Sequence, residues 1–314
     1  MEDNSFTPSE PKFINPFTDF GFKKIFGEEP NKDLLMDFLN ELLRPQNYAI
    51  KDLTYKKAEH LGASDIDRRV VFDLYCENEK GEKFIVEMQK TKQTYFKDRT
   101  LFYSTFPIQE QAIRGKDWNY GLKAVFAVAL LDFTFDDEDG DKPIVNRVQL
   151  IDKDTCKVFY DKLTYIFVQV PNFTKTIDEL ETHLDKWLYV LKHMEKFDRI
   201  PEKIKDKIFQ KVFNLAEYHN LSQEEREAYE DSLKYYRDLK NSLDTAKDEG
   251  YKKAEDTYKP MLEQAQQQAE AERKQREEAH QRNIASAKEF LKLGVSVEKI
   301  MEITGLSKEE IEKL

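Results

Sequence analysis

Two carboxylates, Asp73 and Glu87, interrupt apolar runs in the stretch VVFDLYCENEKGEKFIVEMQK, residues 70–90. Short runs rich in β-branched and aromatic residues read as strands. Glu79-Lys80-Gly81 between them reads as a three-residue hairpin loop with Gly81 left-handed. That register sets Asp73 directly opposite Glu87, on one face with Val71, Tyr75, Ile85 and Gln89. Opposed Cβ atoms lie about 4.5–5.5 Å apart, close enough for the charges to repel, and burial makes each costlier. Three arrangements would compensate: a shared proton as in an acid dyad, a basic partner such as Arg99, or a divalent cation held by hard oxygen ligands. Magnesium suits the last, because it binds through few protein ligands, keeps several waters and attends phosphate chemistry. The plain alternative is an Asp on an exposed strand edge that meets a Glu by chance.

Around the pair, residues 83–99 hold Lys83, Lys90, Lys92, Lys97 and Arg99 against Glu87 and Asp98. A positive rim around a carboxylate pocket fits a polyanionic substrate. Taken singly, each lysine fits an ordinary solvated face as well.

The elements that must position these groups follow from periodicity. "FTDFGFKKIFG" and "NKDLLMDFLNELLR" have helical spacing, the first stopped by Gly27 and the second by Pro45. "IKDLTYKKA", "RVVFDLYCE" and "EKFIVEMQK" read as strands. "TYFKDRTLFYSTFPIQEQAIRG" returns to helical spacing with a kink expected at Pro107. "LKAVFAVALLDF" reads as a strand buried on both faces, and "NRVQLIDK" and "LTYIFVQV" as further strands. The order helix, three strands, helix, strand is an α/β layout around one core. From Ile177 onward the chain reads as helices, with capping boxes at "SQEE" (222–225) and "SKEE" (307–310). Residues 241–283 are rich in Gln, Glu and Lys and poor in large apolar residues, so they read as a solvated helix or a partner-seeking segment rather than core, with Pro260 expected to interrupt any continuous coiled coil.

Composition narrows the function classes. A net charge of -11 argues against nonspecific coating of nucleic acid, while leaving room for a local basic site. Cys76 and Cys156 have no metal-ligand spacing, and the five histidines form no two-ligand pattern. There is no Gly-rich phosphate loop, dinucleotide fingerprint or zinc pattern, and the lone Ser of "GASD" has no nearby base. The N-terminus lacks a basic stretch followed by an apolar one, and the longest apolar run is too short to span a bilayer. We therefore expect a cytoplasmic protein with no membrane partner.

The spacing Asp73-x13-Glu87-x-Gln89, on the second and third strands of this core, resembles the PD-(D/E)XK nuclease superfamily. More closely, the chain resembles the recombination-promoting nuclease and putative transposase family within it. The similar segments are "DFGFKKIFG", "NKDLLMDFLNELL", "VVFDLYCENEKGEKFIVEMQ", "FKDRTLFYSTFPIQEQAIRGKDWNYGLKAVFAVALLDF" and the closing "ITGLSKEEIEKL". Together they touch most of residues 17–135 and the C-terminal tip.

The resemblance implies a restriction-endonuclease-like core and a metal-dependent DNA endonuclease linked to recombination or mobile elements. Asp73 and Glu87 would hold Mg2+, or Mn2+ in its place, with the Met88 carbonyl as third ligand. Gln89 stands where the superfamily pattern usually has a lysine; glutamine can orient a water but brings no charge. Arg99 could supply that charge, and Arg99, Tyr103 and Lys92 are the candidates to meet the substrate phosphate. Tyr103 fits packing against the sheet equally well. Asp19 and Glu41 are candidates for an additional acidic ligand, while Asp65 and Asp67 read as loop residues. The rival reading is a degenerate nuclease fold that binds DNA or a protein without cutting.

The expected organisation is a mobile arm over 1–15, the nuclease-like domain over 16–175 and a helical region beside it over 176–240. A charged helical linker over 241–283 and a small helical hairpin over 284–314 complete it. That hairpin suits self-association or partner docking better than DNA, because its lysines are offset by glutamates.

Overall fold

A computed structural model describes residues 11–46, 48–57, 59–60, 70–112, 119–135 and 142–314. It separates into two units, Met1–Lys240 and Asn241–Leu314.

In the first unit, helix α1 (Asp19–Phe26) starts where the Thr18 hydroxyl accepts the Gly21 N–H at 2.9 Å. It stops at Gly27, whose N–H donates back to the Lys23 carbonyl at 2.7 Å. Helix α2 (Lys32–Leu43) buries Leu34, Leu35, Phe38, Leu39, Leu42 and Leu43, the stripe that a 3.6-residue period puts on one face. The strands that follow are β1 (Leu53–Tyr55), β2 (Glu59–His60), β3 (Val70–Val71), β4 (Leu74–Asn78) and β5 (Lys83–Gln89). Helix α3 (Phe96–Gln109), β6 (Val125–Leu131), β7 (Val145–Ile151) and β8 (Val158–Gln169) come next.

Six strands form one sheet in the order β1-β4-β5-β6-β8-β7, and β2 pairs with β3 apart from it. The central pairs β5–β6 and β6–β8 are parallel and the outer pairs antiparallel. Every residue of β6 is buried, as a parallel strand covered on both faces requires.

The two faces of the sheet carry separate cores. Cys76, Phe84, Val86, Met88, Phe126 and Val128 face α1 and α2, together with α4 (His183–His193) and α5 (Lys207–Ala216). There the rings of Phe26, Phe38 and Trp187 meet at 5.6 Å centroid distances. On the other face α3 lays Phe96 against Ala127, Ala129 and Phe167, and Tyr103 and Phe106 against Tyr75 and Ile85. Helix, sheet and helix make the three layers of an α/β domain.

The structure departs from the sequence reading in several places. The run RVVFDLYCE is not one strand: β3 ends at Val71, Asp73 stands in a bend, and β4 begins at Leu74. Residues 11–15 of the expected mobile arm are packed, with Phe13 and Ile14 buried, Phe13 against Phe213 at 5.1 Å and the Ile14 N–H donating to the Ala216 carbonyl. Pro107 lies in the last turn of α3, so the bond it forfeits falls where the helix is ending anyway. Pro260 does not interrupt its helix. It sits inside α6 (Gln223–Lys292), where residues around it are exposed and water can take the carbonyl that the missing N–H leaves unpaired.

In the second unit the end of α6 packs with α7 (Val297–Thr304) and α8 (Lys308–Glu312) around Ala287, Ile300, Leu306 and Ile311. Gly305 caps α7 at φ +69°, and the Ser307–Glu310 capping box starts α8. Among the described residues no helix is long and apolar enough to cross a membrane.

Candidate active site

The hairpin that sets the site is built locally. Gly81 takes φ +78°, and the Asn78 side-chain carbonyl accepts the N–H groups of Lys80 and Glu82, each at 3.0 Å. This loop fixes the register Leu74↔Val86, Tyr75↔Ile85, Cys76↔Phe84 and Glu77↔Lys83. Continued one step, it brings Asp73 opposite Glu87, as the loop predicted. Asp73, however, is just past the end of the ladder. Its side chain and backbone replace the missing rungs: the Met88 N–H donates to Asp73 Oδ2 at 2.8 Å, and the Asp73 N–H reaches Glu87 Oε1 at 3.4 Å.

Both carboxyls hold protons more tightly than usual. Burial pushes Glu87 up to about 8, the Asp73 charge adds to this, and Arg99 opposes it. Asp73 is raised chiefly by burial and further by Asp19, while the Met88 N–H pulls it down. A shared proton, a basic partner or a divalent cation would each relieve such a pair. Among the described residues no group of three or more His, Cys, Asp and Glu side chains could hold a metal. A cation here would rest on two carboxylates, a backbone carbonyl and water, which suits magnesium. The Met88 carbonyl has the right edge for this. In an extended residue N–H and C=O project to the same side, and the Met88 N–H points to Asp73.

Gln89 donates from Nε2 to Glu87 Oε2 at 3.1 Å, so it holds the carboxylate while sharing its face. Arg99 donates to Gln93 Oε1 at 2.8 Å and lies over the rings of Phe96 and Tyr103. With Tyr103 it lines a small cleft beside Glu87. Tyr103 also packs edge-on against Phe72 at 5.7 Å, the packing that its spacing allowed.

The remaining candidates scatter. Lys92 is exposed in the connection between β5 and α3. Asp19 is exposed and paired with Lys23 at 3.1 Å, although its charge is felt at Asp73. Glu41 pairs with Arg44 away from the site. Asp65 and Asp67 lie outside the described residues. Of the expected basic rim, Lys83 sits at the far end of β5 on Glu77 and Lys97 over Phe135. Lys90 lies on the face opposite Gln89, over the Tyr235 ring at 5.3 Å, yet its half-buried ammonium feels Asp19 and Asp73. The sequence reading also passed over Asp132. It follows β6 and accepts the Tyr236 hydroxyl at 2.8 Å, while its N–H donates to the Gln89 carbonyl. Its position past the carboxyl end of a central parallel strand, where α/β sheets gather ligands, was the available signal.

A family model described as PD-(D/E)XK nuclease family transposase matches residues 16–246, and the chain belongs to that family. Comparison with curated proteins and with solved structures gives no match.

Proposed function

We propose that the protein is a divalent-metal-dependent DNA endonuclease of the cytoplasm, acting in recombination or on mobile elements. Family membership supports nuclease chemistry in general. The observation that carries the specific reading is the opposed pair Asp73 and Glu87, both raised in proton affinity and linked by the Asp73 N–H reaching Glu87 Oε1. Asp73, Glu87 and the Met88 carbonyl would hold Mg2+ or Mn2+, which when bound supplies an acidified water and offsets charge on the scissile phosphate. Gln89 would orient the Glu87 carboxylate and through it the attacking water. Arg99, stacked between Phe96 and Tyr103, would bring the positive charge that a lysine at position 89 would otherwise supply. Lys92 and Tyr103 would complete the phosphate contacts.

A second reading, a nuclease fold that binds DNA or a protein without cutting, is favoured by one observation. Gln89 donates to Glu87 and carries no charge of its own. Supercoiled plasmid incubated with purified protein in Mg2+, Mn2+, Ca2+ or EDTA, alongside Asp73→Ala, separates the two. Metal-dependent nicking lost in the variant upholds the enzyme. Intact plasmid in every metal, with DNA retained by both proteins, upholds the binding module.

A further inference from the structure

A second polar cavity, of about 380 Å3, opens at the same end of the sheet as Glu87 and Gln89. Strands β5, β6 and β8 run parallel and end at Gln89, Leu131 and Gln169, which are register partners. The cavity lies past the ends of β6 and β8, lined there by Asp132, Val170 and Pro171. The carboxylate pair shares the α3 face of the sheet with Tyr75 and Ile85, whereas the cavity is walled by Phe17, Val170 and Leu191 of the opposite face, so the two open at one end of the sheet on its two sides. Three ammonium groups line it: Lys192 from α4, Lys196 just beyond it and Lys240 from α6.

These lysines are not equivalent. Lys192 is tied down, donating to the Pro171 and Phe173 carbonyls at 3.1 and 2.6 Å. Lys196 and Lys240 are exposed and have no carboxylate within ion-pair distance among the described residues. The two acids of the cavity are each engaged, Asp132 by the Tyr236 hydroxyl and Glu195 by the Asn15 side-chain amide at 2.7 Å. Consistent with an electropositive lining, His193 is held below its usual range by burial and then by Lys192 and Lys196.

We propose that this cavity seats a backbone phosphate of the bound nucleic acid away from the one being attacked, gripped by Lys196 and Lys240 with Lys192 fixed behind them. It rests on the nuclease reading for its substrate, while the anion chemistry stands on the lysines alone. Its size accommodates a phosphate with part of its nucleotide.

The full chain and its Lys196→Gln/Lys240→Gln variant are compared in EDTA for binding to a labelled duplex of about 20 base pairs, from about 50 to 200 mM salt. The expected result is affinity about tenfold weaker in the variant and a log–log salt slope smaller by about 1, at an unchanged melting temperature. Unchanged affinity and slope overturn the proposal even if the wild-type protein nicks plasmid. If the wild-type protein neither nicks nor binds duplex, the nuclease reading falls and calorimetry with a nucleoside 5′-monophosphate decides the cavity. Binding lost in the variant keeps the anion site, and no binding to the wild type overturns it. A duplex with and without a 5′-phosphate distinguishes the sources: tighter binding of the phosphorylated duplex assigns a strand end, equal binding an internal phosphate.

Discussion

Asp73 and Met88 are joined across a gap in the sheet: the Met88 N–H, which a longer β4 would have paired with backbone, donates instead to the Asp73 carboxylate at 2.8 Å. The acid thus serves as a rung of the ladder and as half of the carboxylate pair. On the proposed reading, changing it should have opposite effects on the fold and on metal binding.

Asp73→Asn keeps an acceptor for the Met88 amide and removes the charge that opposes Glu87. The metal-free variant should melt a few degrees higher, where ~1 kcal/mol corresponds to about 2–4 °C at this size. Nicking and metal-induced stabilisation should both disappear. Paired thermal melts with and without Mg2+ check it.

The pH dependence follows from Glu87, whose proton is held up to about 8 in the folded chain and lost near its ordinary value when unfolded. Between those values the folded state carries the extra proton, so the contribution of Glu87 to metal-free stability is fullest below its ordinary value and falls as pH rises toward 8. On the proposed reading Mg2+ would compete with that proton. The thermal shift it produces should therefore be larger at pH 8.5 than at pH 6.5, measured in the same buffer system.

Gln89→Ala removes the side-chain donor from Glu87 Oε2 and leaves the Asp73 N–H on Oε1. Loss of such an orienting partner typically costs about 10–100-fold in metal affinity or activity. Titration of Mn2+ by calorimetry, with nicking rates alongside, measures it. Gln89→Lys should restore rate by bringing the ammonium to that face.

Arg99→Ala removes the cation that opposes Glu87's proton affinity and should lower nicking at least tenfold while reducing the salt slope of DNA binding by about 1. Tyr103→Phe keeps the ring contact with Phe72, so its stability should stay within about 0.5 kcal/mol of wild type.

Phe13→Ala tests how far the folded unit extends. Phe13 is buried against Phe213, and truncating a buried Phe costs about 3–5 kcal/mol, read as a lowered denaturation midpoint.

Much of this was legible in the sequence because its signals are local. The loop Glu79-Lys80-Gly81 fixed the hairpin register, the apolar run at 124–131 announced a central strand, and "SKEE" announced a helix start. What was hidden depends on partners distant in the chain. The break at Asp73 exists because Glu87 and Met88 take over its rungs. Residues 11–15 look like a polar arm until Phe213 and Ala216 are there to receive them. Lys90 and Asp132 acquire surroundings only when Tyr235 and Tyr236, about a hundred residues or more away, return across the end of the sheet.

The Gly81 loop has a consequence for how this sequence can vary. Surface loops ordinarily tolerate a residue more or less, but side chains on a strand alternate with period two. One residue gained or lost between Asn78 and Glu82, if the β4–β5 register slipped to match, would turn Glu87 toward α1 and α2 and leave Asp73 facing Val86 or Met88. No residue of the site would have changed, yet the site would be gone. Loop length here is as strict a requirement as the two acids themselves.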